Sequence, residues 1–293
     1  QVTSADTDIT DGSTVSLAIL SKGNLSFSGS GSLTATAGTS ATSIGILAQG
    51  SMTFEDDVVV KASGADVSVT QEIDVNAHKW SGQSSGLFAL NSLTVQDEAD
   101  VTGTGGKYTV SDTDQTNIGI SIGCGSVMQM NIQGGKLTAT AQESKTIWHG
   151  ILTGSLVISG GEISASGHSA ISDDIMMVTV VPPAGKRLHV LDGSTEIAGS
   201  PFTQETKIDP ALFLSITTLR CYLDADPSHQ HLFDQWKYDE TNHWHTCLCG
   251  EAADDAAPHV FEDDADTTCD VCGYERQVTP PVGTEYTVTF DAN

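Results

Sequence analysis

At 293 residues the chain can hold one large domain and a small one. Its 12 Lys+Arg stand against 38 Asp+Glu, a formal charge of −26, which argues against nucleic acid or an anionic membrane surface as partner. No apolar stretch approaches the roughly 20 residues that span a bilayer, so no membrane insertion is expected.

In chain order, Gln1-Val-Thr-Ser4 reads as the start of a chain whose signal peptide has been removed. From Ala18 onward one unit recurs. It pairs a short run of alternating apolar residues with a second such run that ends in small residues. The clearest copy is Gly45 to Phe54 followed by Val58 to Gly64. The earlier copy runs from Ala18 to Gly38, and later ones open at Gly86, Gly119 and Gly150. The steps from Ala18 are 27, 41, 33 and 31 residues. A period of this size, varied by loop insertions, marks a solenoid.

Inside each copy the apolar residues fall at every second position. Examples are Leu25 and Phe27; Met52 and Phe54; Val58, Val60 and Ala62; Leu93 and Val95; Met128, Met130 and Ile132; and Leu156 and Ile158. Period-two alternation predicts strands with one buried and one wet face. Gly-Ser and Gly-Gly pairs, such as Gly134-Gly135 and Gly160-Gly161, supply the turns. No helical period competes with this reading. Stacked copies bring equivalent strands side by side in parallel, and parallel crossovers favour the right-handed form.

On this repeat pattern, residues 12–180 resemble the right-handed parallel β-helices of bacterial cell-surface proteins, of carbohydrate-binding or adhesin-like kind. The resemblance implies a secreted or cell-wall-associated protein whose partner is a polysaccharide or a host-surface glycan. The predicted fold is all-β: a parallel β-helix with a β cap and a small C-terminal zinc-ribbon-like module. Val178 to Gly185, with two prolines, breaks the repeat, so residues from about 176 to 223 are expected to cap the open end with antiparallel strands. The first domain is therefore 1–223.

Residues 224–277 form a second, acidic module. Asp224 to Glu275 holds 14 acidic residues and Lys237 as its single base. Residues 278–293 are a linker and the start of a further repeat. Tyr286 to Asn293 resembles the opening strand of the internalin-type B repeat, which implies further surface modules beyond it.

Of six cysteines, four lie in the acidic module, as Cys247-Leu-Cys249-Gly250 and Cys269-Asp-Val-Cys272-Gly273. Two close pairs about 20 residues apart, each followed by glycine, look like the knuckles of a zinc ribbon. Glycine lets the backbone curl so that amides point at the thiolates, and four sulfurs satisfy tetrahedral zinc. The first pair is one residue shorter than the usual spacing. His231 to Trp236, His243 to His245 and Pro258 to Phe261 supply alternative ligands and aromatic packing. The stretch is similar to a small His/Trp/Cys repeat of surface proteins from Gram-positive anaerobes. Two disulfides are the alternative for so small an exported module. In either case the role is structural.

Three insertions precede the repeat openings: Ala65 to Ser85, Lys107 to Ile118 and Glu143 to His149. Occupying one position in the repeat, they should project from one edge, carrying Lys79, Trp80, Tyr108, Trp148 and His149. Aromatic faces beside polar groups suit sugar rings. The competing reading has these aromatics covering the seam between coils.

Carboxylates cluster at Glu55 to Asp57, at Asp112, Asp114 and Asn117, and at Asp173-Asp174. They lack the loop signature of a calcium site, so calcium is possible but unsupported. A polysaccharide-cleaving β-helix is the enzymatic alternative. Gly167-His168 and Asp173-Asp174 superficially resemble polygalacturonase elements, yet their order is reversed and no Asn-Thr-Asp motif precedes them. The expected function is non-catalytic binding of a glycan or host surface. A ligand-free stalk is the third possibility.

Overall fold

Alternating apolar and small polar residues become short strands throughout. The computed structural model describes residues 2–3, 7–8, 14–69, 82–110, 119–144 and 147–277. The described residues are all-β apart from one short 3-10 turn, and their three large sheets are mainly parallel. The first sheet contains Gly31–Thr36, Val58–Ser63, Asp100–Thr104, Lys136–Thr140 and Glu162–Ser166. The second contains Thr14–Ser21, Thr42–Ala48, Gln83–Ala89, Ile120–Ser126, Ile147–Leu152 and Ser169–Ile171. The third contains Leu25–Phe27, Met52–Phe54, Ser92–Val95, Gln129–Ile132, Ser155–Ile158 and Met177–Val180. The chain visits the second, third and first sheets in turn, and each pass pairs in parallel with the one before.

Registration stacks like on like. Leu93 lies between Met52 and Met130, and Val95 between Phe54 and Ile132. Val60, Val101, Leu137 and Ile163 form another inward column. All of these residues are buried in one core, where each large aliphatic side chain contributes about 1.5–3 kcal/mol. Phe27 and Phe54 stack with ring centroids 5.2 Å apart. Met128 departs from the predicted alternation. It precedes its strand and is 63% exposed, while Met130 and Ile132 take the inward places.

Two further ladders close each pass. Ser16, Ser43, Ser84 and Ser121 occupy equivalent places. Their hydroxyls accept the backbone N–H of Gly38, Ala65, Gly106 and Gln142 at 2.7 to 3.0 Å. Two residues after each serine stands Ala18, Gly45, Gly86 or Gly123, and Gly150 continues the row. At this row the second sheet meets the backbone of the first. A Cβ on Gly86 would lie 2.3 Å from Thr104 N and 2.6 Å from Gly103 Cα. The repeat opening placed at Gly119 is therefore corrected to Gly123, the residue that makes this approach.

Residues after Met177–Val180 continue two of the sheets with antiparallel strands. Thr206–Ile208 pairs with Met177–Val180, and Thr218–Ala225 pairs with Glu162–Ser166 and with Lys186–Asp192. Phe213 and Ile216 are buried against the core. Cys124 and Cys221 are buried free thiols. Burial pushes Cys124 up to about 12, against a backbone hydrogen bond from Gly103, and also raises Cys221. Both act as small packing residues.

The antiparallel segment holds a charged cluster. His189 Nδ1 lies 2.5 Å from Glu196 Oε1, and its Nε2 lies 3.1 Å from Asp224 Oδ1 without hydrogen-bond alignment. Arg187 binds Asp224 through two nitrogens at 2.9 and 2.6 Å. Tyr222 stacks on the imidazole at 4.6 Å. Burial lowers the His189 pKa, but the two carboxylates outweigh it, and the net effect is a raised value. Folding therefore tightens proton binding. The stabilisation is complete below the unfolded value near 6.5 and is lost as pH rises through the higher folded value. His189→Gln is expected to lower the melting temperature of this unit by roughly 3–6 °C at pH 6. The difference from wild type should shrink by pH 9, which thermal scans at the two pH values check.

The contacts divide the chain at Pro227 and Ser228. Asp224 and Ala225 still pair in the strand Thr218–Ala225. In the second unit Gln235–Tyr238, Asn242–Thr246 and Ala257–Pro258 form a small antiparallel sheet.

Candidate functional site

The four module cysteines are free and do not converge on one point. Cys247 and Cys249 meet His229 and His231, whereas Cys269 and Cys272 meet His243 and His259. In each group the four ligand atoms lie within 4.8 Å of one another. In place of one four-cysteine cluster, each cysteine pair stands with two histidines in a group that could hold a metal ion. Separation of the pairs is physical: each knuckle sits beside its own histidines, and the strand Asn242–Thr246 runs between them.

In the first centre Nε2 of His229 is 3.2 Å from Cys247 Sγ, and Nδ1 of His231 is 3.2 Å from Cys249 Sγ. In the second, Nδ1 of His243 is 3.8 Å from Cys269 Sγ and Nδ1 of His259 is 3.4 Å from Cys272 Sγ. His259 uses its other nitrogen on the Asp239 carbonyl, 2.9 Å away, which fixes the ring for a ligand role. Gly250 and Gly273 take φ of +91° and +76°, the left-handed conformation that closes each knuckle. The amide of Gly250 donates to the Cys247 carbonyl at 2.8 Å, and that of Gly273 to the Cys269 carbonyl at 3.0 Å.

One thiol of each pair is prepared as a thiolate, whereas burial raises Cys272. The backbone N–H of Cys249, with His229, lowers Cys247 to about 6. Burial opposes ionisation of Cys269, but the amides of Cys272, Val271 and Val260 bring it down to about 5. Thiolate is the form that binds metal. Rings pack beside both groups: Phe233 stacks on His231 at 5.6 Å and Tyr274 on His259 at 4.2 Å, while Trp236 packs on His245 at 3.7 Å and Arg276 lies 3.8 Å over Phe261. His245 is not a ligand; its Nδ1 binds Asp255 at 2.5 Å. His231, His243 and His259 lie within the stretches expected to supply alternative ligands, and His229 lies outside them. The His-x-His spacing at 229–231, mirroring Cys-x-Cys at 247–249, was the signal for it.

The proposed ligand residues lie differently from expectation. Lys79 and Trp80 lie outside the described residues. Tyr108 is not an exposed loop residue. It begins the strand Tyr108–Val110, which pairs with Val67–Val69, and it is 1% exposed. Its hydroxyl donates to the Ala41 carbonyl at 2.8 Å. Burial opposite Val67 makes it a packing residue. Trp148 and His149 are strand residues as well. Trp148 stands at the end of the serine ladder, half-buried, with His168 packed at 4.7 Å. His149 is buried on the neighbouring face.

Among the carboxylate clusters, Asp56 serves its turn. It adopts φ of 59°, accepts the Gly29 N–H at 2.7 Å, and its own N–H donates to Asp97 at 3.1 Å. Asp112, Asp114 and Asn117 lie outside the described residues. Asp173 accepts the Ser169 hydroxyl at 3.2 Å.

The sheets differ on their outward sides. The first presents Thr34, Lys61, Thr102, Thr138 and Ser164 in one row, and the third presents Ser26, Thr53, Thr94 and Asn131. The second is apolar on both sides. Leu87, Cys124 and Ile151 belong to the main core, while Ile44, Leu47, Phe88 and Ile122 form a separate cluster. A cavity of about 470 Å³ opens along that cluster. Among the described residues no helix is long and apolar enough to cross a membrane. Compared with protein-family models, curated proteins and solved structures, the chain matches none.

Proposed function

We propose that this chain is a non-catalytic extracellular surface protein. In this reading the unit that ends at Pro227 is a right-handed parallel β-helix that binds a glycan or host surface, and residues 228–277 are a module held by two structural zinc ions. The handedness follows from the preference of parallel crossovers. Zinc follows from the ligand chemistry, since two thiolates and two imidazoles at one point suit tetrahedral zinc. With four protein ligands at each centre no position is left for a substrate, so the metals clamp the fold.

Binding rests on the contrast between the three outward faces. Two present hydroxyl ladders, and the second carries an apolar, pocketed face lined by Phe88, Ile122 and Leu152. Ligand sites are concave and mainly apolar, with a few placed polar groups. The protein is expected to bind at least one class on an array of plant, mucin and bacterial glycans. Silence across the array would remove the reading. Turnover of a pectic substrate that Asp173→Asn abolishes would replace binding with catalysis.

A further inference from the structure

The pocket on the second sheet has an apolar floor. Phe88, Ile122 and Leu152 line it, and Met176, 78% exposed, stands at its edge. Gly125 makes room for this floor: a Cβ there would lie 2.5 Å from the Phe88 ring. Four polar side chains line it too: Gln83, Thr153, Ser172 and Asp174.

Gln83 is the anomaly. It is 3% exposed, and its side-chain nitrogen has no hydrogen-bond partner. A buried amide left unpaired costs about 1–3 kcal/mol. Two more orphans stand in the adjoining row. Ser85 and His149 flank Ile122 in register, and Ser85 Oγ and His149 Nδ1 are likewise buried without a partner. Asp173 and Asp174 act on His149 from the adjoining segment, as does His168. Burial is the larger influence and holds its pKa below the ordinary value. Its ring also bonds the Ser169 backbone, while Nδ1 stays unpaired. Of these three atoms Gln83 Nε2 belongs to the pocket lining, and an unsatisfied buried amide beside an apolar floor is what a ligand carrying hydroxyls on an aliphatic ring would satisfy.

The charge of the site is equally specific. None of its described lining residues is Lys or Arg, and Asp174 faces it. An anion would enter with no cation to meet it, against a molecule of charge −26.

We propose that this pocket binds one uncharged sugar ring, with its C–H face on Phe88, Ile122 and Leu152 and its hydroxyls on Gln83 and Asp174, and that it rejects acidic sugars. The inference rests on the glycan-binding reading above and names its site and ligand class.

Saturation-transfer NMR on the whole chain tests it. The probes are the methyl glycosides of glucose, galactose, mannose and N-acetylglucosamine, against glucuronate and galacturonate. At least one neutral glycoside should receive magnetisation through its ring C–H protons and bind at least tenfold more tightly than either uronate. Gln83→Leu should weaken that binding at least tenfold while the melting temperature stays level or rises, because the change removes an unpaired buried amide. Met176→Lys, at an exposed edge, should shift the preference toward the uronates. Equal binding of uronates to the wild type, unchanged binding by Gln83→Leu, or an unchanged preference in Met176→Lys would each overturn the assignment. If Gln83→Leu still binds its glycan on the array, this pocket fails and the general reading stands. If the array is silent, both fall.

Discussion

Chelating zinc is expected to unfold residues 228–277 while residues 14–227 keep their melting temperature. Structural zinc in small His/Cys modules supplies about 10–16 kcal/mol at neutral pH, and this unit has little else. Its regular structure is three short strands, and Trp236 and Tyr238 are partly exposed. The two centres are also interleaved along the chain. His243 of the second lies on the strand Asn242–Thr246, and Cys247 of the first follows directly after it. At saturating zinc the native chain should hold two ions, and Cys269→Ser and Cys249→Ser should each hold one. A single four-cysteine centre would instead lose all its zinc in either variant. Metal analysis with circular dichroism of the chelated protein reads both outcomes.

Gly86→Ala is expected to be strongly destabilising to the larger unit. The new Cβ would meet Thr104 N at 2.3 Å and Gly103 Cα at 2.6 Å, both backbone atoms held by parallel pairing on two sides. No side chain can swing away, so the two sheets must move apart. Overpacking of this kind costs about 3 kcal/mol, equivalent to a fall of roughly 6–12 °C in melting temperature for a unit of this size. Gly23→Ala is the control, since no atom lies within 4 Å of its Cβ position. A Gly86→Ala protein that melts with wild type would mean that the sheets do not approach at this row.

Sheet architecture was readable because period-two alternation directly reports which side chains share a face. Leu93, Val95, Met130 and Ile132 needed only that rule. Register was harder. Gly119 and Gly123 both open an apolar run, and composition alone does not say which of them touches a neighbouring backbone. The Ser-x-Gly spacing at 43–45, 84–86 and 121–123 does carry that information, because the serine must meet an amide at the corner while the glycine passes the first sheet. The metal centres were half legible. Paired cysteines before glycine marked the knuckles, yet nothing local in Cys247-Leu-Cys249 says whether its partners are cysteines or histidines. That depends on the strand that carries His243 to the other knuckle. Tyr108 failed for a related reason: an insertion that begins by pairing with the strand of the preceding insertion, Val67–Val69, buries its first aromatic instead of displaying it. Gln83 had no sequence signal at all, since an unpaired amide exists only where a fold has left it unpaired.

The division of four cysteines between two mixed centres is tested most directly by X-ray absorption at the zinc edge on the metal-saturated whole chain. The expected spectrum is that of two ions per chain, each bound by two sulfur and two nitrogen atoms. One ion per chain surrounded by four sulfurs would contradict it.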